Sequence, residues 1–161
     1  MFTIRAKCID QIEVRSDLPS VKCFFSDVGN FVRLMPGVES IFEDGKGVNH
    51  WKIGVQVPLI GDFSQRFSVS QTENTDERIE WMPIAGESNN FLRYSADFME
   101  VAHGRTMISY LQMVELRRRS AKDLHLLAGV AGESMISGEM TKHVAGMIRI
   151  FINKAKEILE R

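Results

Sequence analysis

The spacing of apolar residues changes once along this chain, and that change limits what it can fold into. Met140, Val144, Met147, Ile148, Phe151, Ala155, Ile158 and Leu159 recur every three or four positions. Lys142, Arg149, Lys154, Lys156 and Glu160 fill the opposite side. This is a long amphipathic helix with a single apolar stripe. Upstream the period is two. Ile4, Ala6, Cys8, Ile12 and Val14 share one face of a strand against Arg5, Lys7 and Glu13, and Trp51, Ile53, Val55 and Val57 repeat the pattern. One helical stripe and a set of half-apolar strands can bury each other. The pattern predicts an α+β fold in which a sheet covers a C-terminal helix.

Turn residues divide the rest. Asp17-Leu-Pro-Ser20 opens a helix with a capping residue and a proline in its first turn. Val21, Phe24, Phe25, Val28, Phe31 and Val32 continue at helical spacing, and Gly29-Asn30 is expected to split the segment into two short helices before Pro36-Gly37 ends it. Strands are then predicted over 38–43, 48–57, from Phe63 past Val69, over 78–82, 91–101 and 105–116. Asp44–Gly47, Pro58–Asp62, Asn74–Asp76, the polar loop 85–90 and His103-Gly104 connect them. Hairpin order implies an antiparallel sheet of about seven strands, counting the first. Ser120-Ala-Lys-Asp123 has the form of a capping box, and Gly129, Gly132 and Gly138 predict an interrupted approach to the last helix. With no repeats or linkers, residues 1–161 are expected to form one domain.

Composition removes several function classes. The net charge of −1 argues against a nucleic-acid partner, and the short run Arg117-Arg118-Arg119 reads as a solvated strand end. Cys8 and Cys23 lie among apolar residues and are expected to be buried thiols, which suits a reducing cytoplasmic location. The N-terminus lacks a signal-peptide pattern, and no apolar run approaches the roughly 20 residues of a membrane helix. His50, His103, His125 and His143 are scattered without metal-ligand spacing, and His50 and His103 are expected to face solvent at strand edges or turns. No GxSxG, P-loop or GxGxxG pattern supports serine-centred catalysis or nucleotide binding. No metal or cofactor is expected.

The polar exceptions on apolar faces are few. Asp10 falls among the apolar positions of the first strand, where a bulge or strand end would let it reach solvent. Tyr94 shares a face with Leu92, Ala96 and Phe98, and Tyr110 and Gln112 share one with Ile108 and Val114. A buried carboxylic acid beside a phenol would be a general base and electrophile, whereas satisfied wall tyrosines would do no chemistry. Strand positions are also rich in aromatic and flexible residues: Trp51, Phe63, Phe67, Trp81, Met82, Phe91, Tyr94, Phe98, Met107 and Met113. Nine methionines suit an adaptable apolar cavity as well as a plain core.

Three stretches carry a family resemblance: Leu34-Met-Pro-Gly-Val-Glu-Ser-Ile41, Gly61-Asp-Phe-Ser-Gln-Arg-Phe67, and Gly132-Glu…Ile136…Met140…Phe151. With the order β–α–α–β₆–α, the chain resembles the START/polyketide-cyclase (SRPBCC) superfamily, most nearly its carbon monoxide dehydrogenase G-subunit family. The resemblance implies a helix-grip fold, in which a curved antiparallel sheet wraps a long C-terminal helix and two short helices follow strand one. It also implies a deep pocket between sheet and helix. Lined by Met, Phe and Trp and without a convergent catalytic set, that pocket is expected to bind a hydrophobic small molecule or lipid without catalysis. The alternatives are a polyketide cyclase or dehydratase, and an accessory or maturation factor of the G-subunit kind with a protein partner at Arg117–Arg119 or within 129–138. The chain ends at Arg161 without the membrane-attaching tail of some members of that family, so no stable membrane insertion is expected. Leu34 and Met35 are expected at the pocket mouth. Phe63, Phe67, Trp81, Tyr94, Phe98, Tyr110, Met147 and Phe151 are expected to contact the ligand.

Overall fold

The computed structural model describes residues 1–161. Strand β1 (Phe2–Val14) is followed by helices α1 (Leu18–Ser26) and α2 (Val28–Leu34). Six strands come next: β2 (Val38–Glu43), β3 (Val48–Val57), β4 (Gly61–Asn74), β5 (Arg78–Pro83), β6 (Asn90–Ala102) and β7 (Arg105–Arg118). A short 3₁₀ turn at Ala121–Asp123 and a single helical turn, α3 (Ala128–Ala131), lead into α4 (Glu133–Leu159), which is 27 residues long. The strands form one antiparallel sheet in the order β1-β7-β6-β5-β4-β3-β2. This is the α+β helix-grip arrangement. Thirty-four buried apolar residues between sheet and helices form one continuous core. No helix is long and apolar enough to cross a membrane.

Two boundaries differ from expectation, each for a physical reason. The two short helices part at Asp27, whose carboxylate accepts from Gly29 N–H (2.9 Å) and caps α2. Gly29 and Asn30 therefore lie inside α2, and buried Asn30 donates to the Phe24 carbonyl (2.8 Å). Helix α4 starts seven residues before Met140 and runs through Gly138. Its extra turns are held by the free edge of β1: Thr3 N–H donates to Glu133 (2.7 Å) and Arg5 N–H to Ser137 (3.1 Å). At the far end Arg15 N–H donates to Glu160 (3.0 Å). The helix thus satisfies edge amides that would otherwise be open to pairing.

Two further expectations change. Cys23 is exposed on α1 and Cys8 only half-buried, because β1 is an edge strand and α1 turns Val21 and Phe25 inward instead. Met82, Phe91 and Met113 lie on the outer face of the sheet, where they line a groove with Arg5, Arg93 and Arg117. Their neighbours Trp81, Leu92 and Val114 take the inner face, as a period of two requires.

The Pro36-Gly37 corner is set by close contact. Gly37 has φ +87°, and its carbonyl accepts from Gly54 N–H of β3 (2.8 Å). A Cβ there would lie 2.8 Å from the Gly54 carbonyl oxygen and 2.9 Å from Met147 Cε. Only glycine lets the chain pass so close to both β3 and α4.

Candidate functional site

The interior between sheet and α4 divides in two. Toward α1 and α2 it is aromatic. Phe151 of α4 stacks on Phe31 (ring centroids 4.7 Å apart, planes 16°) and meets Phe25 edge-on at 5.7 Å. Phe31 continues to Trp51 (5.4 Å) and Tyr94 (5.2 Å), Tyr94 to Trp81 (5.4 Å) and Tyr110 (5.0 Å), and Phe25 to Phe98 (5.8 Å). The rings interlock and fill this half.

Toward the β3–β4 hairpin the packing loosens. Ile53, Val55, Phe63, Phe67, Val114 and Leu116 face Met140, Val144 and Met147 of α4 across a slit of about 20 Å³. Only Gln65 and Gln112 bring polar groups to it. The slit adjoins an open groove through shared residues Val55 and Phe63. Pro36, Gly37, Gly54, Asp62, Ser64 and His143 line that groove. The expected deep pocket is therefore closed: about 20 Å³ holds roughly one water, whereas small-molecule sites run to hundreds of Å³. Side chains of Met140, Met147 and Phe63 occupy the room that the fold leaves.

The ten expected contact residues split along the same line. Phe63, Phe67 and Met147 line the slit. Trp81, Tyr94, Phe98, Tyr110 and Phe151 belong to the aromatic half. Met35 is buried in the core, and Leu34 packs against it half-buried. The structure adds Met140, Val144 and Gln112, of which the first two are legible in the helical stripe.

The buried polar groups show what chemistry this interior offers. Tyr110 donates its hydroxyl to Gln112 Oε1 (2.8 Å), fixing an amide at the floor of the slit. The Tyr94 hydroxyl is buried without a partner. Burial, with Tyr110 alongside, raises the Tyr94 pKa well above its ordinary value, and burial, with Cys8 nearby, does the same for Tyr110. Both are neutral phenols and cannot act as bases. Asp10 does not join them. Although it registers opposite Tyr110, it is exposed on the edge strand, and its carboxylate accepts from Gln11 N–H (2.7 Å). The carboxylate–phenol pair that a cyclase reading needs is not formed.

On the outer face the register builds a constellation that sequence spacing does not reveal. His50 of β3 lies directly between Phe42 of β2 and Ser68 of β4. Its Nε2 is 3.0 Å from Asp44 Oδ2 and its Nδ1 2.9 Å from Ser68 Oγ. His50 is half-buried in this relay instead of facing solvent freely. One turn and two separate strands supply the three groups, so no linear motif exists to find.

No protein-family model matches the sequence, and no curated protein matches it either. Solved structures do match. The di-domain ARO/CYC BexL from the BE-7585A biosynthetic pathway superposes with a TM-score of 0.66 at 16% identity, over 98% of this chain and 51% of that one. The chain thus spans about half the length of that di-domain protein. The Zhui aromatase/cyclase from a Streptomyces species gives 0.61 at 14% identity, over 95% of this chain and 94% of that one. A START superfamily protein from Mycobacterium smegmatis gives 0.53 at 12% identity, over 89% and 96%. At these identities the likeness is one of fold: the chain has the helix-grip fold that these aromatase/cyclase and START proteins share.

Proposed function

We propose that this protein binds an apolar small molecule or lipid between α4 and strands β3, β4 and β7, without performing chemistry on it there. One observation carries the reading: the slit has nine hydrophobic residues among its eleven and lies beside an open groove, while the rest of the interior is closed by stacked rings. Two of the closing side chains are methionines, whose unbranched, rotatable stems make room at small cost. A ligand would pass the Pro36-Gly37 corner and displace Met140 and Met147 outward along α4. The amides of Gln112 and Gln65 would then meet any polar group it carries. Affinity would come from apolar burial, at about 25 cal/mol per Å² before ordering costs.

The test is native mass spectrometry of the purified protein, joined to titration with a fluorescent apolar probe. A co-purified apolar species, or saturable probe binding lost in Val144→Trp, supports the reading. A protein without either, in which Val144→Trp changes nothing, removes it. A protein-partner role, of the kind implied by the carbon monoxide dehydrogenase resemblance, would instead use the segment after β7, where Leu126 and Val130 are 80% and 82% exposed. Pull-down with the wild type and with Leu126→Glu distinguishes that reading.

A further inference from the structure

The outer face of β2, β3 and β4 carries two cross-strand rows: Phe42–His50–Ser68, and beside it Ser40–Lys52–Arg66. Together they line a groove of about 470 Å³, on the opposite face of the sheet from the slit. Asp44, in the β2–β3 turn, is held rigidly. Its Oδ1 accepts from Lys46 N–H (2.8 Å) and Val48 N–H (3.1 Å), leaving Oδ2 for His50. The hydrogen bond from His50, with those two amides, keeps its carboxyl below the usual range, so it is ionised and only accepts. His50 Nε2 then carries a proton toward Asp44, and in the neutral ring Nδ1 accepts from Ser68 Oγ–H. The Phe42 ring, 64% exposed, lies nearly parallel to the imidazole (centroids 6.3 Å apart, planes 21°), while the two hydrogen bonds hold the imidazole in place. A hydroxyl is thus bonded to a basic nitrogen oriented by an anchored carboxylate, the arrangement that activates a serine.

We propose that Ser68, His50 and Asp44 form a second site that cleaves small carboxylic esters through an acyl-serine. Ser68 Oγ attacks the ester carbonyl carbon as its proton passes to His50 Nδ1. The negative charge that develops on the carbonyl oxygen is met by the adjacent cationic row. There Lys52 is paired with Glu39 (3.0 Å), while Arg66 is exposed and enters no salt bridge. Strand amides are committed to the ladder, so these side chains take the place of a backbone oxyanion hole. The bond to the leaving oxygen then breaks, and His50 returns the proton to that oxygen to release the alcohol. Water attacks the acyl-Ser68 carbonyl, gives a proton to His50, and displaces Ser68, which recovers that proton as the acid leaves. Exposed Phe42 offers an apolar wall to the acyl or alcohol group. The site depends on nothing in the slit.

The experiment uses the whole chain and p-nitrophenyl acetate. Wild type should release p-nitrophenol and gain one acetyl group, mapped by peptide mass spectrometry to Ser68. His50→Ala should lower the rate about 100-fold or more, Asp44→Asn less, and Ser68→Ala should bring it to the level of other surface nucleophiles. Arg66→Gln should lower the rate with the fold intact by circular dichroism. A fluorophosphonate probe on the wild type should label Ser68 and no other serine, a readout that needs no variant to fold. Labelling at lysines alone, or a p-nitrophenol rate equal in wild type and Ser68→Ala, overturns the proposal.

Discussion

The two halves of the interior differ in how they fill the same kind of space. Around Phe31 and Phe151, flat rings from α1, α2, α4 and the sheet interlock at centroid distances of 4.7–6.1 Å. Around Met147, thin flexible side chains from α4 meet branched ones from β3 and β7 across a residual slit. Rings fit in few ways, so the aromatic half holds the helix on the sheet. Methionines fit in many, so the other half can change shape without unfolding.

The largest effect should come from breaking the rigid half. Phe151→Ala removes a ring that touches Phe24, Phe25 and Phe31, and should cost about 3–5 kcal/mol by denaturant unfolding. Met147→Ala should cost about 2 kcal/mol, the low end for such truncations, and should increase binding of an apolar probe. Equal costs for the two would mean that the halves are packed alike and would remove the distinction.

Next comes the corner joining the halves. Gly37→Ala forces a positive φ on a side chain that also meets the Gly54 carbonyl oxygen at 2.8 Å. The expected loss is about 1–3 kcal/mol in the same unfolding measurement. A smaller contrast sharpens the view of the tyrosines. Tyr110→Phe leaves buried Gln112 without its donor and should cost about 1 kcal/mol. Tyr94→Phe removes a hydroxyl that has no partner and should be neutral or slightly stabilising.

The smallest effect lies outside both halves. Burial alone would raise the Glu80 pKa, but hydrogen bonds from Arg93 and Thr72 and the charges of Arg93 and Arg78 outweigh it and hold the carboxyl below its usual value. A depressed carboxylate stabilises the fold above its unfolded pKa and loses that contribution as pH falls through the folded one. Glu80→Gln should therefore lower the melting temperature slightly at neutral pH and not at all in strong acid. An equal decrease at both would assign Glu80 a packing role instead.

Much of the fold is legible in residue order. The change from period two to period 3.6, the Asp17 cap, Asp44–Gly47 and His103-Gly104 each act over a few residues, so local physics places β1, α1, the hairpins and α4. The corner within Leu34–Ile41 is readable for the same reason. Residue order puts the helix break at Gly29-Asn30 instead of Asp27 because a cap and a glycine are both helix punctuation, and the Asn30–Phe24 hydrogen bond decides between them. Order also does not tell which inward methionines border the slit, as Met140 and Met147 do, and which pack in the solid core, as Met35 does.

The alternation of side chains determined which residues would be inside, since burial follows from period and the hydrophobic effect. Only the tertiary structure decided how well they would fill that inside. Closing Met140 and Met147 over the slit depends on how far α4 stands from β3, which is set by the Gly37–Gly54 contact and by the helix turns held on the edge of β1. The union of Asp44, His50 and Ser68 likewise depends on strand register, a relation between segments that pattern within a segment does not encode.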